Sequence, residues 1–217
     1  MSYRTLPIQF FTTMYRTQVI RLTVFQIRIH GRGGQGVVTA AELLSVAAFT
    51  DGSHAQAFPS FGSERTGAPV VSYCRIDHKN IRLREPVSAP DAIIIQDSTL
   101  LNSVDVFAGS KPDGFILINT LRTLEELGLS DFVSNRSPRR TLILPASEIA
   151  LKHIGRAMPN AALLGGLAAA TGWIRIESLT QAIADRFPEK IAAGNVKATT
   201  SATALEPSIC LSISALQ

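Results

Sequence analysis

The chain has 217 residues, 46% of them hydrophobic, with two cysteines and a net charge of +4. That length and apolar content suit one folded α/β domain and exclude a disordered chain, while two widely separated cysteines exclude a cysteine-built zinc or iron–sulfur site within this chain. The charge excess sits at one end: removing Arg4, Arg16 and Arg21 from the 21 basic residues leaves 18 against 17 acidic ones, so no nucleic-acid face is indicated.

Residues 1–23 carry those arginines and no acid. They read as an organellar transit-like leader or as an extension upstream of a start at Met14, and we leave them out of the fold. From Val24 to His30 alternating Ile27 and Ile29 against Gln26 and Arg28 predict a strand. From Val37 onward Ala40, Ala41, Leu44, Ala47 and Ala48 recur at helical steps and predict a buried helix. Between them lies Gly31-Arg32-Gly33-Gly34-Gln35-Gly36. A turn from strand to helix aims the helix's unpaired N–H groups and positive dipole end at the crevice, so these six residues read as a cradle for phosphate.

The spacing Gly31, Gly33, Gly36 matches the dinucleotide fingerprint. That fingerprint also wants an acid closing the second strand to hold a ribose hydroxyl. Here the second strand-like run, Ser53 to Phe58, ends without one, and Asp51 lies before it. Three readings follow: a cradle for another phosphate-bearing ligand, a nicotinamide dinucleotide site, or a turn that only packs helix on strand.

Further along, Val70 to Ile76, Ala92 to Gln96, Gly114 to Ile118 and Leu142 to Leu144 read as strands, the last three as interior parallel ones. Helices are expected at Ser98 to Asp105, Ser147 to Arg156, Asn160 to Thr171 and Ile176 to Phe187. The alternation predicts a single Rossmann-like, doubly wound α/β domain with a mostly parallel sheet over 24–197. The helix around Leu163 and Leu164 is apolar nearly all round and needs a cover, while 198–217 has no clear period and reads as a tail, poorly ordered or docked on a partner. No run is long and apolar enough for a membrane-spanning helix.

Chemistry-bearing residues are sparse. No nucleophile with a base, carboxylate pair or metal cluster emerges, and His30, at the end of the first strand, together with the scattered His54, His78 and His153, reads as structural. Asp97 and Asn119 stand at the ends of predicted parallel strands, where side chains either line the ligand crevice or cap the next turn. The loop from Pro59 to Pro69 presents Glu64 and Arg65 between Gly62 and Gly67, beside the glycine turn, and reads as a contact loop. Cys74 and Cys210 read as buried thiols of a reducing cytoplasm.

Several blocks in one order resemble a known family. They are Gly31 to Ala41, Gln56 to Val70, Arg75-Ile76, Pro90-Asp91, Asp97, Asn119, and Asn160 with Leu163-Leu164-Gly165. Together they resemble the gamma subunit, or gamma domain, of the thiamine-diphosphate-dependent 2-oxoacid:ferredoxin oxidoreductases. The Phe58-Pro59-x-Phe61-Gly62-x-Glu64-Arg65-x-Gly67-Ala68-Pro69-Val70 block is similar to the pyruvate branch, except that Thr66 stands where that branch often has a second arginine.

The resemblance implies a non-catalytic subunit of a cytoplasmic pyruvate synthase. Alpha, beta and ferredoxin-like delta partners would carry thiamine diphosphate and the [4Fe-4S] clusters and reach ferredoxin. It also implies coenzyme A at Gly31, Arg32, Gly33, Gly34, Gln35, Gly36 and Asn119, and an interface or active-site loop of Phe61, Gly62, Glu64, Arg65 and Gly67. No metal site, nucleic acid or membrane is expected for this chain.

Overall fold

The structure, a computed structural model, describes residues 24–60, 67–137 and 139–214, with 205–214 described as backbone only. Strand β1 (Phe25–Arg32) follows the predicted alternation and runs on through Gly31 and Arg32. Phe25, Ile27 and Ile29 enter one core, and Arg28 and His30 face the opposite side of the sheet. After the glycine turn, α1 (Val37–Thr50) buries Val37, Ala40, Ala41, Leu43, Leu44, Ala47 and Ala48 against that same core.

Strands β2 (His54–Pro59), β3 (Pro69–Asp77), β4 (Ala92–Ile95), β5 (Phe115–Asn119) and β6 (Thr141–Leu144) complete a sheet ordered β2-β3-β1-β4-β5-β6. The pairs β1–β4, β4–β5 and β5–β6 are parallel. A second, smaller core on the far face gathers Ile93, Ile95, Ile116 and Ile118 with Leu100 and Val106, so the sheet is covered on both sides as a doubly wound fold requires.

At the other edge the sheet departs from a fully parallel order. β3 runs antiparallel to both β1 and β2, and β2 is the outer strand. A parallel connection needs a dozen or more residues, and the loop from Ser60 to Ala68 is too short for one. Pro59 also suits an edge, where a missing N–H breaks no ladder. The far face of this edge carries two buried arginines. Arg28 donates to the carbonyls of Val87, Val106 and Ala108, and Arg75 to those of Leu83 and Glu85, which pins the segment before β4 and, through Arg28, the one that follows it.

The helix expected at Ser98 to Asp105 is only a 3-10 turn over Ser98–Asn102, because Val106 turns down into the second core. Short α2 (Ser130–Ser134) precedes β6, and α3 (Ala146–Ile154), α4 (Asn160–Thr171) and α5 (Ile176–Arg186) follow it. Helix α6 (Glu189–Ser214) corrects the boundary placed at residue 197, because the chain stays helical past Lys197 and buries Ala198, Thr199 and Ala202. It also supplies the cover for α4: a Cβ on Gly165 would lie 2.3 Å from the Thr199 carbonyl oxygen, so the two backbones meet where only hydrogen fits. Thr199 Oγ1 donates across this crossing to Ala161 O at 3.1 Å. Apolar α4 is therefore buried by its own chain.

Candidate functional site

A crevice of about 350 Å³ opens at the C-terminal ends of the parallel strands. Gln35 contributes from the glycine turn, Gln96 and Asp97 from the end of β4, Asn119 from β5, and Ser147 and Glu148 from the first turn of α3. This is where an α/β sheet of this kind presents ligands, and α1 and α3 both begin there.

The glycine turn is held rigidly. Gly33 N–H donates to Ala68 O at 2.9 Å and Gly67 N–H to Gly33 O at 3.2 Å, stitching the turn to the return of the Pro59–Pro69 loop. Arg32 N–H donates to Gln35 Oε1 at 2.8 Å. The first intrahelical bond runs from Ala40 N–H to Gly36 O at 2.9 Å, so the amides just before Ala40 are the ones a helix start offers to an anion. Gly36 has φ +71° and no room for a side chain, since an added Cβ would stand 2.8 Å from Asn160 Nδ2. Its glycine is required on both counts.

Arg32 is committed to the protein. Its Nε donates to Asp97 Oδ2 at 3.1 Å, Nη2 to Thr99 Oγ1 at 2.7 Å and Nη1 to Gly67 O at 3.1 Å. Asp97 also accepts from Gln35 Nε2 at 3.1 Å and from Thr99 N–H at 3.0 Å, and so caps the 3-10 turn. Partial burial pushes its carboxyl up, but the hydrogen bonds from Thr99 and Gln35 and the Arg32 charge outweigh this, and the pKa falls below its usual 3.8. Asn119 is equally engaged: Nδ2 donates to Gln96 O and to Ser147 Oγ, both at 2.8 Å, and Oδ1 accepts from Ser147 N–H at 3.0 Å. Both residues stand in the crevice wall and brace it.

Of the residues the sequence points to, Gly31 and Arg32 end β1, Gly33, Gly34, Gln35 and Gly36 form the turn, Asn119 lines the crevice and Gly67 fastens the loop. Phe61, Gly62, Glu64 and Arg65 lie outside the described residues. His30 is buried on the sheet face opposite α1; that burial, with the Arg28 charge nearby, depresses its pKa to about 4. Asp51 caps α5, accepting from Arg175 N–H at 2.7 Å and Nε at 2.6 Å and from the Ser178 hydroxyl. The residue missed by sequence reasoning is Gln96, 1% exposed, whose side-chain amide has no partner on either atom among the described residues. Its signal was its place, one residue past β4 on the strand's alternation and directly before Asp97. Among the described residues no three His, Cys, Asp or Glu side chains gather as a metal site would need.

A glycine turn joining the first strand to a helix, with a polar crevice at the ends of four parallel strands, is the layout of an open α/β fold that presents ligands at its strand ends. The chain belongs to the pyruvate ferredoxin/flavodoxin oxidoreductase family, which it matches over residues 26–205. It is 51% identical to the Methanosarcina barkeri "Pyruvate synthase subunit PorC" across 73% of this chain and 84% of that one. It is 45% identical to the Pyrococcus abyssi "Pyruvate/ketoisovalerate oxidoreductases common subunit gamma" across 81% and 93%. The crystal structure of pyruvate oxidoreductase subunit PORC from Thermotoga maritima superimposes with a TM-score of 0.72 at 34% identity, covering 83% of this chain and 96% of that one. A 2-oxoglutarate:ferredoxin oxidoreductase from Magnetococcus marinus, with 2-oxoglutarate, coenzyme A and succinyl-CoA bound, shares the fold at 18% identity and a TM-score of 0.64, covering 85% of this chain and 31% of that one.

Proposed function

We propose that the chain is the gamma subunit of a multi-subunit pyruvate synthase, which interconverts pyruvate and coenzyme A with acetyl-CoA and carbon dioxide while passing electrons to ferredoxin. The observation that carries this is similarity along most of the length of the pyruvate synthase subunit PorC of Methanosarcina, 84% of it, and of the pyruvate oxidoreductase subunit PORC of Thermotoga, 96% of it. The reaction's redox groups belong on its partners: alpha, beta and ferredoxin-like delta subunits hold thiamine diphosphate and the [4Fe-4S] clusters. A four-cysteine cluster exceeds this chain's two cysteines, and burial pushes the Cys74 thiol up to about 12, which suits a core residue and not a thiolate ligand. We assign the complex to the cytoplasm on the family resemblance. No helix among the described residues is long and apolar enough to cross a membrane.

Coenzyme A is the ligand we assign to the crevice. Its phosphates suit the helix-start amides at Gly36 to Thr39, and the open amide of Gln96 suits a polar organic group. A nicotinamide dinucleotide finds less support. The neighbour of β1 at that edge is antiparallel β3, and Asp51, the one acid at a suitable distance, is spent on capping α5. One relative's name, a subunit common to pyruvate and ketoisovalerate oxidoreductases, supports placing the choice of 2-oxoacid on the partner subunits.

We propose that Glu64 and Arg65 meet a subunit seam or the shared active site, since the chain that follows them is fastened to the glycine turn at Gly67 and Ala68. Purifying the native complex and assaying it with a panel of 2-oxoacids tests the function; pyruvate turnover by this chain alone would overturn it. An Arg65→Ala complex should assemble, keep the fold of this subunit and lose activity. Normal activity would make the loop dispensable.

A further inference from the structure

Of the crevice side chains Gln35, Gln96, Asp97 and Asn119, three have internal partners and one has none among the described residues. Gln35 gives its Oε1 to Arg32 N–H and its Nε2 to Asp97. Asn119 uses both ends of its amide, and Asp97 accepts from Arg32, Gln35 and Thr99. Gln96 alone of these four has neither Nε2 nor Oε1 engaged among the described residues, although both atoms are out of contact with water. Its β-strand alternation puts the side chain on the α1 side of the sheet, under the glycine turn. The positions of Gln96 Oε1 and Gln35 Oε1 each lie 3.1 Å from where a Gly31 Cβ would stand.

A buried primary amide with both ends open is an unfavourable feature in an empty fold, since each atom has lost water and gained nothing. Such groups are kept where a ligand supplies the missing partners, and a site built to hydrogen-bond strongly disfavours ligands that cannot answer it. We propose that Gln96 is a ligand-contacting specificity residue of this crevice. Its amide pairs in bidentate fashion with a ligand edge that carries one donor beside one acceptor.

This rests on the assignment of coenzyme A above. That molecule offers such an edge on adenine, where the N6 amino group stands beside the N1 or N7 acceptor, whereas the trans secondary amides of pantetheine point N–H and C=O in opposite directions and can engage only one end of the glutamine amide. To admit the ligand the Gln35 side chain must leave its place beside Gln96. The turn therefore gives up the Gln35 bonds to Arg32 N–H and Asp97 as the ligand edge arrives.

The test uses the assembled complex with wild-type chain and with Gln96→Met, which keeps the length of the side chain and removes both polar atoms. Isothermal titration with coenzyme A should show a dissociation constant raised roughly tenfold or more in the variant, for the loss of two neutral hydrogen bonds. The KM for the 2-oxoacid should stay unchanged. Competition with adenosine 3′,5′-bisphosphate and with pantetheine, run separately, checks the edge: the adenosine fragment should lose affinity in the variant and pantetheine should not, and a loss confined to pantetheine overturns the bidentate pairing.

Equal coenzyme A affinity in the two complexes overturns the role of Gln96 and leaves the crevice assignment standing. Hydrogen exchange of residues 34–40 in the wild-type complex separates the two failures. Absence of protection there on adding coenzyme A removes the ligand from the crevice, and with it this inference. A variant complex that weakens for both fragments and for the 2-oxoacid alike also overturns it, since that pattern marks a distorted subunit and not a lost contact.

Discussion

Replacing Arg32 by Ala separates two roles that the sequence merges, a phosphate contact and a brace. The guanidinium spends three donors on Asp97, Thr99 and Gly67, with 30% of the arginine side chain and 17% of the aspartate exposed. A charge-assisted hydrogen bond in such a partly buried place contributes about 1.5–3 kcal/mol, while the bonds to Thr99 and Gly67 are exposed and add little. Asp97 keeps its Thr99 and Gln35 donors after the substitution, so the loss stays short of the about 3–5 kcal/mol expected for an orphaned buried charge. We therefore expect Arg32→Ala to cost about 2 kcal/mol, which for a chain of this size lowers the melting temperature by roughly 4–8 °C. Urea unfolding of the full chain with Arg32→Ala, Asp97→Asn and the double variant should give a coupling of about 1–2 kcal/mol. An unchanged urea midpoint, together with a tenfold loss of coenzyme A affinity in the assembled complex, would refute the brace and return the arginine to the ligand.

The remaining expectations concern His30, the glycine turn and α6. His30 stays neutral in the fold down to about pH 4, whereas an unfolded histidine takes up its proton near 6.5. The unfolded state thus binds more protons in that window, stability falls as pH drops from 6.5 to about 4, and the histidine accounts for about 3 kcal/mol of that fall. Urea midpoints at pH 7 and 4.5 should show a shallower drop for His30→Gln, and equal drops would remove His30 as the cause. Gly36→Ala should cost about 2–3 kcal/mol by chemical denaturation, since it combines a left-handed φ with displacement of Asn160. Gly52→Ala, with φ +83° and open space, should cost about 1 kcal/mol, and equal costs would show that the Asn160 contact is immaterial. A chain ending at Lys197 should lose cooperative thermal unfolding by circular dichroism, because it lacks buried Ala198, Thr199 and Ala202; an unaltered melt would make that end of α6 peripheral.

How far the sequence could be read depended on whether a signal was local. The β1–turn–α1 unit was legible because alternation, glycines and helical periodicity lie side by side in a single stretch. Helices α4 and α5 were legible for the same reason, within a residue at either end. The direction of β3 was not carried by its own side chains; it follows from the shortness of the loop before it, a constraint on the connection and not on the strand. Helix α6 escaped because the buried residues described along it, Ala192, Gly194, Asn195, Ala198, Thr199 and Ala202, are small or polar, able to seat two backbones against each other but too weakly apolar to stand out as a stripe. In the crevice, position was readable and engagement was not. Asp97 and Asn119 stand where strand ends should put them, but the Ser147 and Arg32 groups that occupy them are 28 and 65 residues away in the chain.

The antiparallel edge explains why a dinucleotide-like glycine spacing does not make a dinucleotide site here. In that fold a second parallel strand flanks β1 and offers its end residue to a ribose. Here β3 fills the place, running the other way, and meets the glycine turn with its start, where Gly67 and Ala68 pair with Gly33. The turn is closed on that side and opens only toward β4 and β5, which confines a ligand to the wall of Gln96, Asp97 and Asn119. Arg32 then joins the two sides, holding the Gly67 carbonyl with one nitrogen and the Asp97 and Thr99 side chains with the others. A displacement of Gly67 would act through this one guanidinium on the crevice wall, so the position of Gly67 and the shape of the crevice mouth are set together.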